Sequence, residues 1–317
     1  MKLTPWGVIP EERSIHANSS EMSDWPAGQD WGKFVQARTN EFAEHLWPIW
    51  DPNTARWVGG AAANMEEATK AELEICKREF HDKNILEDFP DTPLVARANL
   101  APKNHLWHYQ VEDFIGYDAG FADDTTANTP IANIVFYDPN QTSEEAWKAF
   151  GKSSGRKASG LFALKLTFQR PRPYTAAMAL QVDVPRFRTA SRHIHTGMHP
   201  SFPSGHCAQG LLIGAGMIDD VLTDDPKANV NVDAIMQYGV DFGDRRVFAG
   251  VHYPTDNIAS WVNAILLSRL IYTGSNDIQS IIRNAIKTQS AVYKLIDKHY
   301  RDVPALKPAV DYMDRHI

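Results

Sequence analysis

The sequence predicts an all-α protein, and three observations carry that prediction. Apolar residues recur at i, i+3, i+4, i+7 and i+8 in Ile258, Trp261, Val262, Ile265 and Leu266, the stripe of one helix face. Residues suited to opening a helix stand ahead of such runs, as in Ser143-Glu144-Glu145 and at Pro254. Gly210, Gly214 and Gly216 recur within one run, which predicts a face packed closely against a neighbouring helix.

Along the chain, residues 1 to about 140 mix loops rich in Pro, Asn and Asp with helical stretches such as Glu66 to Phe80, where Asn64 is placed to cap. Ala119 to Pro139 holds threonines, asparagines and β-branched residues, the composition of a loop or short hairpin. From Ser143 onward helices dominate. They are expected over Ser159 to Phe168, Cys207 to Leu222, Val232 to Phe242, Asp256 to Tyr272 and Asp277 to His299. Two regions follow: a partly irregular N-terminal helical and loop region, 1–140, that covers or shapes a site, and a helical bundle, 141–317.

With 317 residues, 43% of them hydrophobic and 22% charged, the chain is long enough for a large core. A net charge of −7 argues against general nucleic-acid binding. No run approaches the roughly 18–20 apolar residues that span a bilayer. The best candidate, Ile258 to Tyr272, contains Ser260, Asn263, Ser268 and Arg269 and reads as a buried amphipathic helix. The N-terminus lacks the apolar core of a signal peptide, and the only cysteines, Cys76 and Cys207, fit a reducing compartment, so a cytoplasmic protein without a disulfide is expected.

Three short segments concentrate the chemistry: K-L-T-F-Q-R-P-R-P (Lys165 to Pro173), P-S-G-H (Pro203 to His206) and R-V-F-A-G-V-H-Y-P-T-D (Arg246 to Asp256). Cations, two histidines, a carboxylate and a glycine turn are the parts that bind a tetrahedral oxyanion and attack it. Lys165 and Arg172 are seven apart and would share a helix face, with Pro171 and Pro173 leaving Arg172 where the chain exits it. Ser204 is placed as a helix N-cap, Gly205 lets a ligand approach the backbone, and the amides of such a start form an oxyanion cradle. His206 rides on the same turn. Asp256, four residues after His252, can hydrogen-bond one imidazole nitrogen and leave the other for attack or ligation. Arg246 is expected on the preceding loop as a third cation.

These segments resemble the signature of the phosphatidic acid phosphatase type 2 (PAP2) superfamily, which includes class A bacterial acid phosphatases and vanadium-dependent haloperoxidases. That pattern reads K-x6-R-P, P-S-G-H, S-R-x5-H-x3-D. Lys165, Arg172, Pro173, Pro203, Ser204, Gly205, His206, Arg246, His252 and Asp256 match, and Arg245 replaces the usual serine. Ten such positions coincide by chance on the order of 10⁻¹³ per placement, so the joint pattern outweighs the ordinary reading of each residue as a solvated or structural group. The resemblance implies the superfamily's helical bundle. It also implies His252 as nucleophile to phosphorus, Asp256 orienting it, His206 protonating the leaving oxygen, and Lys165, Arg172, Ser204, Gly205 and Arg246 holding the nonbridging oxygens, with no divalent metal.

Two enzyme readings share such a site. In the phosphatase reading, a phosphorylated small molecule is hydrolysed through phosphohistidine, and the rate falls at both pH extremes. In the haloperoxidase reading, His252 ligates vanadate and halide is oxidised with hydrogen peroxide. Chain length and the likeness of A-G-V-H-Y-P-T-D to the phosphatase branch favour the first, while Phe202 and the nine tryptophans suit the apolar surround of the second. A noncatalytic anion-binding protein ranks third. His193, His195 and His199 are read as a substrate-facing or structural loop, since no cysteine or carboxylate partner lies at metal-ligand spacing. His105 and His108 around Trp107 read as a packed aromatic cluster. Substrate identity and any homo-oligomer stay open.

Overall fold

Helices account for most of the chain over the residues that the computed structural model describes: 2–4, 7–9, 31–51, 53–81, 162–183, 200–248, 250–272 and 277–317. The expectations for His105, Trp107, His108, Ala119 to Pro139, the helix from Ser143, and His193, His195 and His199 fall outside these residues. So does that for the side chain of Arg245.

The N-terminal part holds two short antiparallel hairpins, β1 (Lys2–Thr4) with β2 (Gly7–Ile9) and β3 (Ile49–Asp51) with β4 (Arg56–Val58). Between them runs α1 (Trp31–His45), and α2 (Met65–Cys76) follows, continuing as a π-turn through Lys77–His81. Asn64 stands at the N-cap of α2, but its side chain does not cap.

The second part begins with α3 (Phe162–Phe168) and α4 (Pro173–Leu180). It continues with α5 (Gly205–Asp224), α6 (Val232–Phe248), α7 (Pro254–Ile271), α8 (Ile278–Gln289), α9 (Ala291–His299) and α10 (Lys307–His316). α7 is the axis of this assembly. It packs against α5, α6, α8, α9 and α10, and its residues from Pro254 through Ile265 are all buried. The expected amphipathic stripe is therefore a helix enclosed on every face, in which Ser260 satisfies itself on the carbonyls of Ser204 and Asp256 and Ser268 on that of Ile265. No helix among the described residues is long and apolar enough to cross a membrane.

α5 and α6 cross backbone to backbone. A methyl group on Gly210 would collide with the Gly239 carbonyl and stand 2.6 Å from Phe242 Cβ, and one on Gly239 would stand 2.7 Å from the Gly210 carbonyl. Gly214 faces the same helix at Ile235 and Met236, whereas Gly216 meets the Tyr272 ring instead, so the three glycines serve two contacts rather than one face. The single helix expected over Asp277 to His299 is broken at Ser290, whose backbone is extended and whose hydroxyl accepts from the Tyr293 amide. The carboxylate of Asp244 on α6 accepts from the Ser290 hydroxyl and from the amides of Ala291 and Val292. A helix start tied to a neighbouring helix thus replaces a continuous one.

Candidate active site

The first segment is shaped by where α3 stops. Gln169 takes the left-handed conformation at φ 53°, and its amide closes the last turn on the Lys165 carbonyl. Lys165 and Arg172 therefore do not share a helix: Lys165 lies in α3, and Arg172 is the extended N-cap residue of α4, with Pro173 at its first position. Both still turn inward, 1% and 3% exposed. Lys165 Nζ donates to the carbonyls of Pro200 and Ser201, at 3.0 and 2.8 Å. The Ser201 amide donates to the Arg170 carbonyl, which draws the first segment against the second.

Ser204 and Gly205 occupy the N-cap and first position of α5, as expected, but the Ser204 hydroxyl does not cap. It is buried and without a hydrogen-bond partner among the described residues, while the Ser204 amide donates to the Asp256 carbonyl at 3.3 Å. A methyl group on Gly205 would touch only Lys165 Cε, at 3.9 Å. His206 is the second residue of the helix and 7% exposed.

Arg246 is not on a loop. α6 runs on to Phe248, and Arg246 is fully buried in its last turn, with its carbonyl accepting from the amides of Val251 and His252. That turn sets His252 ahead of α7. The His252 Nδ1 lies 2.9 Å from Asp256 Oδ2, and its Nε2 lies 2.9 Å from Arg172 Nη1. A guanidinium can only donate. Nε2 therefore carries the lone pair, and Nδ1 carries the proton donated to Asp256. Burial first, and then the charges of Arg172, Lys165, Arg246 and Arg170, hold the imidazole well below its ordinary pKa, which agrees with a neutral ring. Asp256 Oδ2 also accepts from the Tyr253 amide at 3.1 Å, so the same carboxylate fixes the helix start.

The site contains two residues that the signature does not mark. Arg170 bridges Asp256 Oδ1 and Glu72 Oε2, each at 2.7 Å, with its guanidinium between the rings of Tyr253 and Trp47, at 3.6 and 4.2 Å. Glu72 comes from α2, 98 residues before Arg170 in sequence. Arg170 had a weak signal, an arginine beside the proline that separates it from Arg172. Glu72 had none.

Phe202 turns away from the pocket into the core. It is fully buried, edge-on to Phe168 at 4.8 Å and to Phe42 at 5.6 Å. Cys207 and Cys76 are buried and unpaired, and burial pushes both thiols well above their usual range. Among the described residues no cluster of His, Cys, Asp and Glu could hold a metal ion.

Fold and geometry together define an all-α protein in which a buried cluster of cations surrounds a neutral histidine held by a carboxylate. Residues 157–280, which contain all eight candidate residues, match the sequence model of the PAP2 superfamily. No curated protein and no solved structure gives a significant match.

Proposed function

We propose that the protein is a metal-independent phosphatase that hydrolyses phosphate monoesters or diphosphates of small molecules, in the cytoplasm, through a phosphohistidine on His252. The observation that carries this reading is the defined tautomer. Nδ1–H donates to Asp256, and the Nε2 lone pair faces the cations.

In the proposed first step Arg172 exchanges Nε2 for a nonbridging oxygen of the substrate. Lys165, Arg246, the Ser204 hydroxyl and the Gly205 amide take the remaining oxygen contacts, supplying the charge stabilisation that a metal supplies elsewhere. The Nε2 lone pair forms the N–P bond as the ester P–O bond breaks, and protonated His206 gives its proton to the departing oxygen. Asp256 stabilises the positive charge that develops on the imidazole. Water then attacks phosphorus, His206 takes its proton, and the N–P bond breaks to release orthophosphate. Leaving-group choice falls to the N-terminal region in this reading, because the signature residues reach only phosphorus and the oxygens bonded to it.

Vanadate is an oxyanion of the same shape, and the unpartnered Ser204 hydroxyl and the Nε2 lone pair fit it. Bound there, it would supply peroxide activation. Phe202 gives that alternative no support, since its ring belongs to the core rather than to a halide surround.

The test pairs p-nitrophenyl phosphate hydrolysis, with and without vanadate, with bromide oxidation by peroxide after vanadate loading. Hydrolysis that vanadate inhibits, acid-labile ³²P on the wild-type chain, and loss of both in His252→Ala are expected. Full turnover in His252→Ala, or vanadate-dependent bromination with feeble hydrolysis, overturns the proposal.

A further inference from the structure

Glu72 is 1% exposed, and each of its four hydrogen-bond partners among the described residues is a donor. Arg170 Nη2 and the Thr255 hydroxyl bond Oε2 at 2.7 and 2.9 Å, and the Thr255 amide and the Tyr300 hydroxyl bond Oε1, each at 3.0 Å. The Thr255 hydroxyl in turn accepts from Arg170 Nη1 at 2.7 Å. A carboxylate satisfies all four donors, whereas an amide would turn two hydrogens of its own toward them.

Two of these bonds act on Asp256. Through Arg170, Glu72 governs the partner of Asp256 Oδ1. Through the Thr255 amide, it holds the first turn of α7, the turn that carries Asp256. The other oxygen of Asp256 holds His252 Nδ1. The chain Glu72–Arg170–Asp256–His252 thus runs without a break from α2 to the nucleophilic ring. Glu72 also balances the charge of Arg170. Were that balance lost, Arg170 would draw more of the Asp256 charge to itself and leave less for the Nδ1 proton.

We propose that Glu72 is a positioning residue for the reaction: acting through Arg170 and Thr255, it orients Asp256 and so keeps His252 in the tautomer whose Nε2 lone pair is available. This deepens the phosphohistidine reading and rests on it for its kinetic consequence, but not for the tautomer itself. The competing role is that of a staple between α2, α7 and the end of α9. A staple would depend on Tyr300 as much as on Arg170.

The experiment compares Glu72→Gln with Tyr300→Phe, which removes one donor while leaving the Glu72 charge and its bond to Arg170. For both, kcat and KM for p-nitrophenyl phosphate are measured, together with the histidine ¹⁵N shifts of the labelled protein at one fixed pH. Glu72→Gln is expected to lower kcat by about 10- to 100-fold with KM within about threefold, because Lys165, Arg172 and Arg246 keep the oxyanion contacts. Its His252 ¹⁵N shifts should move toward a mixture of tautomers. Tyr300→Phe should lower the melting temperature and leave kcat and the His252 shifts in place. Where Glu72→Gln does not fold, Glu72→Asp, which keeps the charge on a shorter arm, is read in the same way. Unmoved His252 shifts, or equal losses of kcat in the Glu72 and Tyr300 variants, overturn the proposal. If the wild type hydrolyses no phosphate ester, the phosphatase reading fails by itself, and the ¹⁵N shifts alone still decide the role of Glu72.

Discussion

Asp256→Asn keeps the shape of the side chain and removes its charge, and the structure gives the amide no good orientation. If its oxygen stays at the Oδ2 position, it still accepts from His252 Nδ1 and the Tyr253 amide, but its NH2 then faces Arg170 Nη1, where the acceptor lay at 2.7 Å. If it flips, the NH2 donates to His252 Nδ1 and the ring proton moves to Nε2, against the Arg172 donor at 2.9 Å. The first choice leaves a donor pair unmatched, and the second removes the attacking lone pair. Losing one partner of a buried ion pair costs about 3–5 kcal/mol. Arg170 retains Glu72, so about 3 kcal/mol is expected. At about 2–4 °C per kcal/mol, the melting temperature should fall by about 6–12 °C. The turnover of p-nitrophenyl phosphate should fall by about 10²–10⁴-fold, with KM nearly unchanged. Calorimetry and initial rates on one preparation measure both. A variant that melts lower yet turns over at the wild-type rate would refute the tautomer argument.

Gly205→Ala should fold with unchanged stability, since its methyl meets only Lys165 Cε at 3.9 Å, yet raise the inhibition constant for orthophosphate; equal affinity would remove Gly205 from the oxyanion contacts. Gly210→Ala should cost at least about 1–3 kcal/mol in urea unfolding, because its methyl collides with α6. Burial raises the Asp244 carboxyl from 3.8 to about 7, against the pull of Ser290 and the two amides. A folded-state pKa above the unfolded one gives stability that is fully present below about pH 4 and lost as the pH rises through about 7, up to about 4 kcal/mol. Asp244→Asn should flatten that loss between pH 4 and pH 7, and a slope equal to wild type would show that Asp244 does not titrate there.

The eight candidate residues were chosen from a spacing that survives errors about the elements that carry them. Lys165 and Arg172 converge although a left-handed Gln169 ends the helix between them. The end of α6 was misjudged for a different reason. Gly243 stands one residue past the expected terminus, yet its lack of a side chain serves packing: a Cβ there would lie 2.5 Å from Cys207 Sγ. Helix-end rules read glycine as punctuation and cannot see the neighbouring helix. Glu72 was illegible because nothing in periodicity reports a partner 98 residues away. A glutamate on a helix reads as a solvated face until the fold buries it.

The same network explains why so much charge can lie inside a helical core. Lys165, Arg170, Arg172 and Arg246 are at most 3% exposed, and so are the carboxylates Glu72 and Asp256. Arg170 is the internal counterion: it lies between the two acids and pairs with both. Lys165 donates to the carbonyls of Pro200 and Ser201, and Arg172 to that of Val251. Carbonyl dipoles offset part of the desolvation of a cation without cancelling its charge. Arg172, Lys165, Arg246 and Arg170 thus all contribute positive potential at the His252 ring. A phosphate monoester carries close to two negative charges at neutral pH, and in the proposed reaction its phosphoryl group meets that positive potential.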